Sequence, residues 1–267
     1  MLRRLILAAA FLASPAIARA ADWDNFNGQF VGDVDLNAAY VFPDSSTDGV
    51  GLGAGGNAVW RLGESNFHAQ GTLHYSESFS GKDTFDILAA SAEATGFWRW
   101  QDSGLLGFSG GYERLDNGHT IDADYFKAGV QGQIYGSDIV TFSAEGGIFI
   151  GKNGKGGNFD GFYLNGGVNY YLTDNLAMGI GGGFRDVDAD SDDIFTMNFK
   201  GEYLMPTAMP VSMTMGYSYA DLVGTPTHAA MIGFKMYFGG GEGDPLSTIH
   251  RSGSADSGNP AVPLLGY

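Results

Sequence analysis

An all-β fold, a transmembrane antiparallel up-and-down β-barrel of twelve strands, is the class this sequence predicts. Three observations carry it. Apolar residues alternate with small or polar ones at period 2 through about twelve segments. Only 16% of the 267 residues are charged, while 43 are Gly and 13% are aromatic. No apolar run beyond the N-terminus is long enough to cross a membrane as a helix. A soluble domain carries about 25% charged residues and about 7% Gly. A chain departing from both in this way has a surface made for something other than water.

The elements follow in order. Arg3 and Arg4 precede the short apolar run Leu5–Leu12, and Ala18-Arg19-Ala20 offers a small-x-small cleavage site. Residues 1–20 therefore read as a cleaved signal peptide. Losing Arg3, Arg4 and Arg19 shifts the net charge from −16 to −19. Residues 21–238 read as the barrel. In its first strand Phe30, Val34, Leu36, Ala38, Tyr40 and Phe42 fall on one face, and Asp33, Asp35 and Asn37 on the other. Only an extended chain separates them so. Equivalent apolar sets run through Val50–Trp60, Phe67–Tyr75, Leu88–Trp100, Leu106–Tyr112, Phe126–Ile134, Val140–Ile150, Phe162–Leu172, Leu176–Phe184, Phe195–Tyr203, Val211–Tyr219 and Ala230–Phe238.

Between them, short turns near residues 63–65, 101–103, 136–138, 173–175 and 206–210 alternate with longer or more polar links. The latter lie near 43–49, 80–84, 116–124, 152–160, 186–193 and 222–228. Both chain ends then fall on the short-turn side, expected to be periplasmic. Residues 239–267, rich in Gly, Ser and Pro and without periodicity, read as a flexible periplasmic tail.

A secreted soluble barrel would alternate too, but its polar face would be rich in charge. Here that face is mostly Gly, Ser, Thr, Asn and Gln. Aromatics such as Tyr40/Phe42, Trp98/Trp100, Tyr170/Tyr171 and Tyr217/Tyr219 gather at strand ends, where lipid interfaces favour them. The acidic balance excludes a nucleic-acid partner, and the absence of Cys excludes disulfides and thiolate metal sites.

The last strand ends Gly233-Phe-Lys-Met236-Tyr-Phe238. It resembles the terminal assembly signal of bacterial outer-membrane β-barrels, the porin-like class. Met231 replaces the usual polar residue, and 29 residues follow the signal. The resemblance implies outer-membrane insertion by the barrel assembly machinery, amid outer-membrane lipid and lipopolysaccharide, and names no substrate.

With the apolar face against lipid, parity turns Asp33, Asp35, Glu93, Glu113, Glu145 and Glu202 into the lumen. It does the same for Arg61, Arg99, Lys127, Arg185, Lys200 and Lys235. On the lipid face each cation would cost about 2–4 kcal/mol at the midplane. Segregated, the two signs give a transverse field across an open pore. Paired, they form salt bridges that close it.

The long links hold Asp44, Asp48, Asp83, Asp86, Asp116, Asp122, Asp124, Asp160, Asp186, Asp188, Asp190, Asp192, Asp193 and Asp221 against Lys82, Lys152 and Lys155. Such a rim favours cations. Within it, Asp186, Asp188, Asp190 and Asp192 resemble the start of a Ca²⁺ loop. Ser191 and Met197 stand where that loop needs Gly and Glu, so weak Ca²⁺ or Mg²⁺ binding is the most this run predicts.

Gly51–Gly56 and Gly107–Gly111 match dinucleotide and nucleophile-elbow patterns only superficially, since neither opens a helix. His74 and Ser76 have the spacing of outer-membrane lipid hydrolases. Parity sends both into the lumen, away from a lipid substrate. The expectation is a non-enzymatic, porin-like channel for passive diffusion of small polar solutes, preferring cations. A closed structural or surface-interaction barrel is the alternative, and a lipid hydrolase comes third.

Overall fold

Each alternating segment is a strand in the computed structural model. It describes residues 30–44, 48–62, 65–80, 88–100, 103–116, 122–154, 156–187, 193–207, 209–222, 225–239 and 243–253. The signal-peptide segment, residues 254–267, and the rim residues Lys82, Asp83, Asp86, Lys155, Asp188, Asp190 and Asp192 lie outside the described residues. The strands are β1 (Phe30–Pro43), β2 (Gly49–Arg61), β3 (Phe67–Ser80), β4 (Leu88–Trp100), β5 (Gly104–Asp116) and β6 (Asp122–Ser137). They continue as β7 (Val140–Asn153), β8 (Asn158–Thr173), β9 (Leu176–Val187), β10 (Ile194–Leu204), β11 (Val211–Leu222) and β12 (Thr225–Phe238). A helix, α1 (Leu246–Ser252), follows.

Every strand pairs antiparallel with its sequence neighbours, and β1 closes on β12. The register fixes the barrel's dimensions. Sideways pairing from Phe30 passes through Trp60, Ala69, Gly96, Phe108, Val130, Gly146, Leu164, Phe184, Phe195, Asp221 and Pro226. It returns to β1 at Asp44, whose N–H donates to the Pro226 carbonyl at 3.0 Å. That is 14 residues above the start. On twelve strands this stagger gives a tilt of about 40° and a backbone radius of about 12 Å.

The outward face is apolar, as the alternation requires. Ile134 is 66% exposed, Phe126 62% and Phe108 61%, a surface stable only against hydrocarbon. Trp60, Trp98, Trp100, Tyr170 and Tyr203 ring the short-turn end. At the other end Tyr40, Tyr75 and Tyr112 donate hydroxyls to Asp48, Glu77 and Asp124 just beyond the band. Of the expected aromatic pairs, Tyr170/Tyr171 is split: Tyr170 faces out, while Tyr171 is 5% exposed and faces in. Adjacent strand residues cannot share a face.

Two expectations change. The links on the acidic side are shorter than they read, because Asp116, Asp122, Asp124, Asp160, Asp186 and Asp221 lie on strand ends. The β11–β12 link is only residues 223–224. The strands project past the apolar band there, since the ladder persists in water while the side chains turn polar. The segment from 239, expected to lack regular structure, contains α1. Leu246 and Ile249, one helical turn apart, are 0% and 6% exposed. They pack on Tyr171, Ala177, Leu204 and Tyr237. A seven-residue helix is too short to stand alone, and this inward apolar patch supplies the contact that orders it.

Candidate functional site

The barrel interior is the candidate site. Eleven of the twelve parity-assigned charges enter it, nine of them in two groups. Arg61 is the exception. It ends β2 and is exposed at the short-turn rim, where its Nε donates to the Ser65 carbonyl at 3.2 Å.

The first group lies toward the acidic end, on the wall from β4 to β9. Lys127 Nζ sits 2.7 Å from Glu93 Oε2 and 2.9 Å from Glu113 Oε1. Glu113 also accepts from the Tyr125 hydroxyl and lies 3.7 Å from Arg185 Nη2. Arg185 Nη1 in turn donates to the Tyr125 oxygen at 2.7 Å. Glu145 accepts from Tyr163 at 3.0 Å and Asn165 at 3.4 Å. The register explains the reach. Gly111 stands between Glu93 and Lys127, and a Cβ there would meet both side chains at 3.3 Å. Beside this network Leu115, Tyr125, Phe149 and Tyr163 form a buried apolar cluster.

The second group surrounds α1 at the short-turn end. Glu202 accepts from the Tyr237 hydroxyl and lies 3.2 Å from His250 Nε2. Asp33 accepts from Asn57 at 2.6 Å and lies 3.9 Å from Lys235. Arg99 Nη1 and Nη2 donate to the Ser252 and Gly253 carbonyls, each at 2.6 Å. Arg251 lies over the Tyr135 and Tyr171 rings at 4.9 and 5.7 Å. It donates to Ser137 and Val140 carbonyls and to Thr141 Oγ1. At its other end, the Leu246 N–H donates to the Asp174 carbonyl at 2.7 Å. The helix is thus tied at one end to the β8–β9 turn and at the other, through the Arg99 side chain, to β4, so it lies inside the lumen. A cavity remains beside it, lined from β1, β6, β7, β8, β10 and β12.

The lumen charges are therefore mostly paired, not segregated. Asp35 accepts from Asn37 at 3.3 Å, and Lys200 faces the cavity. His74 and Ser76 point inward as parity predicts, and Ser76 is fully buried. Neither lies on the lipid face that a lipid hydrolase would need. At the rim, Arg114 lies within 3.5–3.7 Å of Asp116, Asp122 and Asp124. Asp186 ends β9 among the projecting strand tips. Among the described residues no cluster of three or more His, Asp or Glu could hold a metal. In the terminal motif, Gly233 approaches Thr214 and Asn37 inside. Phe238 stacks on Phe30 at 5.3 Å where the barrel closes, and Met236 shares its outward parity.

Sequence reasoning did not place the lumen tyrosines, the apolar lumen clusters or α1. The tyrosines were findable. Tyr125, Tyr163 and Tyr237 stand two residues from Lys127, Asn165 and Lys235, so the same parity turns them inward. The helix left only a faint signal: Pro245, then Leu246 and Ile249 one turn apart, then His250 and Arg251.

No protein-family model matches the chain, and no curated protein is detectably similar in sequence. Solved structures are similar in shape. An outer-membrane channel from Pseudomonas putida F1 matches with a TM-score of 0.56 at 11% identity, over 79% of this chain and 96% of that one. The translocator domain of the autotransporter NalP from Neisseria meningitidis gives 0.51 at 14%, over 88% and 98%. The KdgM porin, solved with disordered oligogalacturonate, gives 0.50 at 9%, over 76% and 99%. The chain thus has the closed antiparallel barrel fold of the outer-membrane porins and channels, resembling them in architecture.

Proposed function

We propose that this chain is a non-enzymatic outer-membrane channel for passive diffusion of small polar solutes, with its bore set at the short-turn end by α1. One observation carries the reading: a polar interior runs behind a lipid-compatible exterior, and a helix of the same chain lies across it. Solutes would pass through the cavity beside α1, or through the full bore when α1 leaves. The outer-membrane barrels similar in fold support the coarse reading. The terminal motif Gly233-x-x-Met236-x-Phe238 supports delivery by the barrel assembly machinery, with both termini periplasmic and the acidic rim facing lipopolysaccharide. Ca²⁺ or Mg²⁺ would bridge that rim to lipopolysaccharide phosphates.

The test is single-channel recording in planar bilayers, with the full chain compared with a variant ending at Phe238. The expected result is small ohmic steps from the full chain and steps severalfold larger from the shortened one. The second reading, a closed structural barrel, is favoured by the pairing of Lys127 with Glu93 and Glu113. It prevails if both refolded proteins are silent.

A further inference from the structure

The cavity beside α1 has a composition of its own. Its acidic and basic side chains are Asp33, Lys200, Glu202, Lys235, His250 and Arg251. Both acids are engaged, Glu202 by Tyr237 and His250, and Asp33 by Asn57 and Lys235. Arg251 is spent on backbone carbonyls, Thr141 and Asp138. Lys200 is different. It is half-buried, it faces the cavity, and among the described residues it makes no hydrogen bond or ion pair. A half-buried ammonium without a counter-charge costs free energy that an arriving anion recovers.

The wall beside it is neutral and rich in hydrogen-bonding groups. Cross-strand pairing sets Thr141, Asn169, Gly179 and Lys200 in one row across β7 to β10. Gly179 makes the row possible. A Cβ there would come within 2.5 Å of Asn169 Oδ1 and 2.8 Å of Lys200 Cε. Its absence lets the amide and the lysine stem lie side by side. Gln133 lines the cavity beside this row. Over Gly179 the Asn169 amide and the Lys200 stem converge, and Thr141 stands one strand spacing, about 4.8 Å, beyond Asn169, a span suited to a carboxylate with neighbouring hydroxyls.

We propose that this cavity binds a small organic carboxylate bearing hydroxyl groups, its carboxylate on Lys200 and its hydroxyls along Asn169, Gln133 and Thr141. The proposal rests on the interior being the solute path and names the solute class that path selects. The acidic rim does not oppose it at physiological salt. Rim charges stand about 12 Å from the axis, beyond a Debye length of about 8 Å, whereas Lys200 acts at contact.

The test is titration calorimetry on the full chain refolded in detergent micelles, with gluconate as probe and glucitol and acetate as comparators. Gluconate should bind saturably, and each comparator at least about tenfold more weakly. Lys200→Gln should weaken gluconate about tenfold or more, the scale of one charge-assisted hydrogen bond. Lys200→Arg should keep most of the affinity, and Gly179→Val should lose it by displacing both neighbours. Since Lys200 has no hydrogen-bond or ion-pair partner among the described residues, Lys200→Gln should fold as the parent does, checked by circular dichroism. The proposal is overturned if gluconate gives no heat, if glucitol or acetate binds as tightly, or if Lys200→Gln leaves affinity unchanged. Conductance is not part of this readout, so the channel reading can fail separately.

Discussion

Lys127 shows what a charge needs in order to live inside the barrel. Its ammonium sits between two carboxylates, below 3 Å from each, in an interior largely shielded from bulk water. Pairing there does not add much net stability, because desolvation offsets most of the attraction. Removing one partner is another matter. Lys127→Met should cost about 3–5 kcal/mol by leaving Glu93 and Glu113 charged against each other, read as a lower urea midpoint in micelles. Adding Glu93→Gln and Glu113→Gln should restore part of that loss. If Lys127→Met is neutral, the network is solvated and the lumen is wetter than its geometry implies. Arg99 has a different task. It holds the two carbonyls that end α1, so Arg99→Met should lose about 2–3 kcal/mol of docking energy. Hydrogen exchange at residues 246–252 should then speed up by more than tenfold, with strand amides unchanged.

Elements meet through glycine. Tyr163 lies over the cross-strand pair Gly129 and Gly147, where added Cβ atoms would stand 2.5 Å from its hydroxyl and 2.8 Å from its ring. The ring could not lie flat over any larger pair, and its hydroxyl would lose Glu145. Gly147→Val should therefore cost about 1–3 kcal/mol through overpacking. It should also slow refolding from urea, which heat-modifiable electrophoresis would follow. The abundance of Gly in the composition has this use: lumen side chains of neighbouring strands reach one another across glycine. The helix belongs to this scale as well. It is ordered by side chains of β4, β6 to β10 and β12, so its order depends on the barrel being closed.

For the whole molecule, charge is distributed by height. The outward face is uncharged until the strands pass the upper tyrosines. Acids then crowd the rim, with Arg114 drawing three of them together. At about 0.01 M salt the Debye length is about 30 Å and the rim field covers the mouth. Reversal potentials should then show cation preference, fading as salt rises toward about 1 M, where screening is about 3 Å. Anion preference at low salt would show that the basic groups around α1, and not the rim, set selectivity.

The sequence by itself determined the strand count, the order, the face of every strand and eleven of the twelve lumen charges. It could do so because each follows from a local rule: side chains alternate, and lipid admits no charge. Parity says which way a side chain points but not which neighbour it meets. Whether Lys127 pairs or faces an open pore depends on the 14-residue stagger, which is the sum of twelve registers and is written in no single segment. Arg61 escaped the rule because strand ends are open to water on both faces. Helix α1 was illegible for the opposite reason. Seven residues carry too little periodicity to announce a helix, and its stability comes from Tyr171, Tyr237, Glu202 and Arg99, which only barrel closure brings together. What the chain would let through was therefore decided in the tertiary structure.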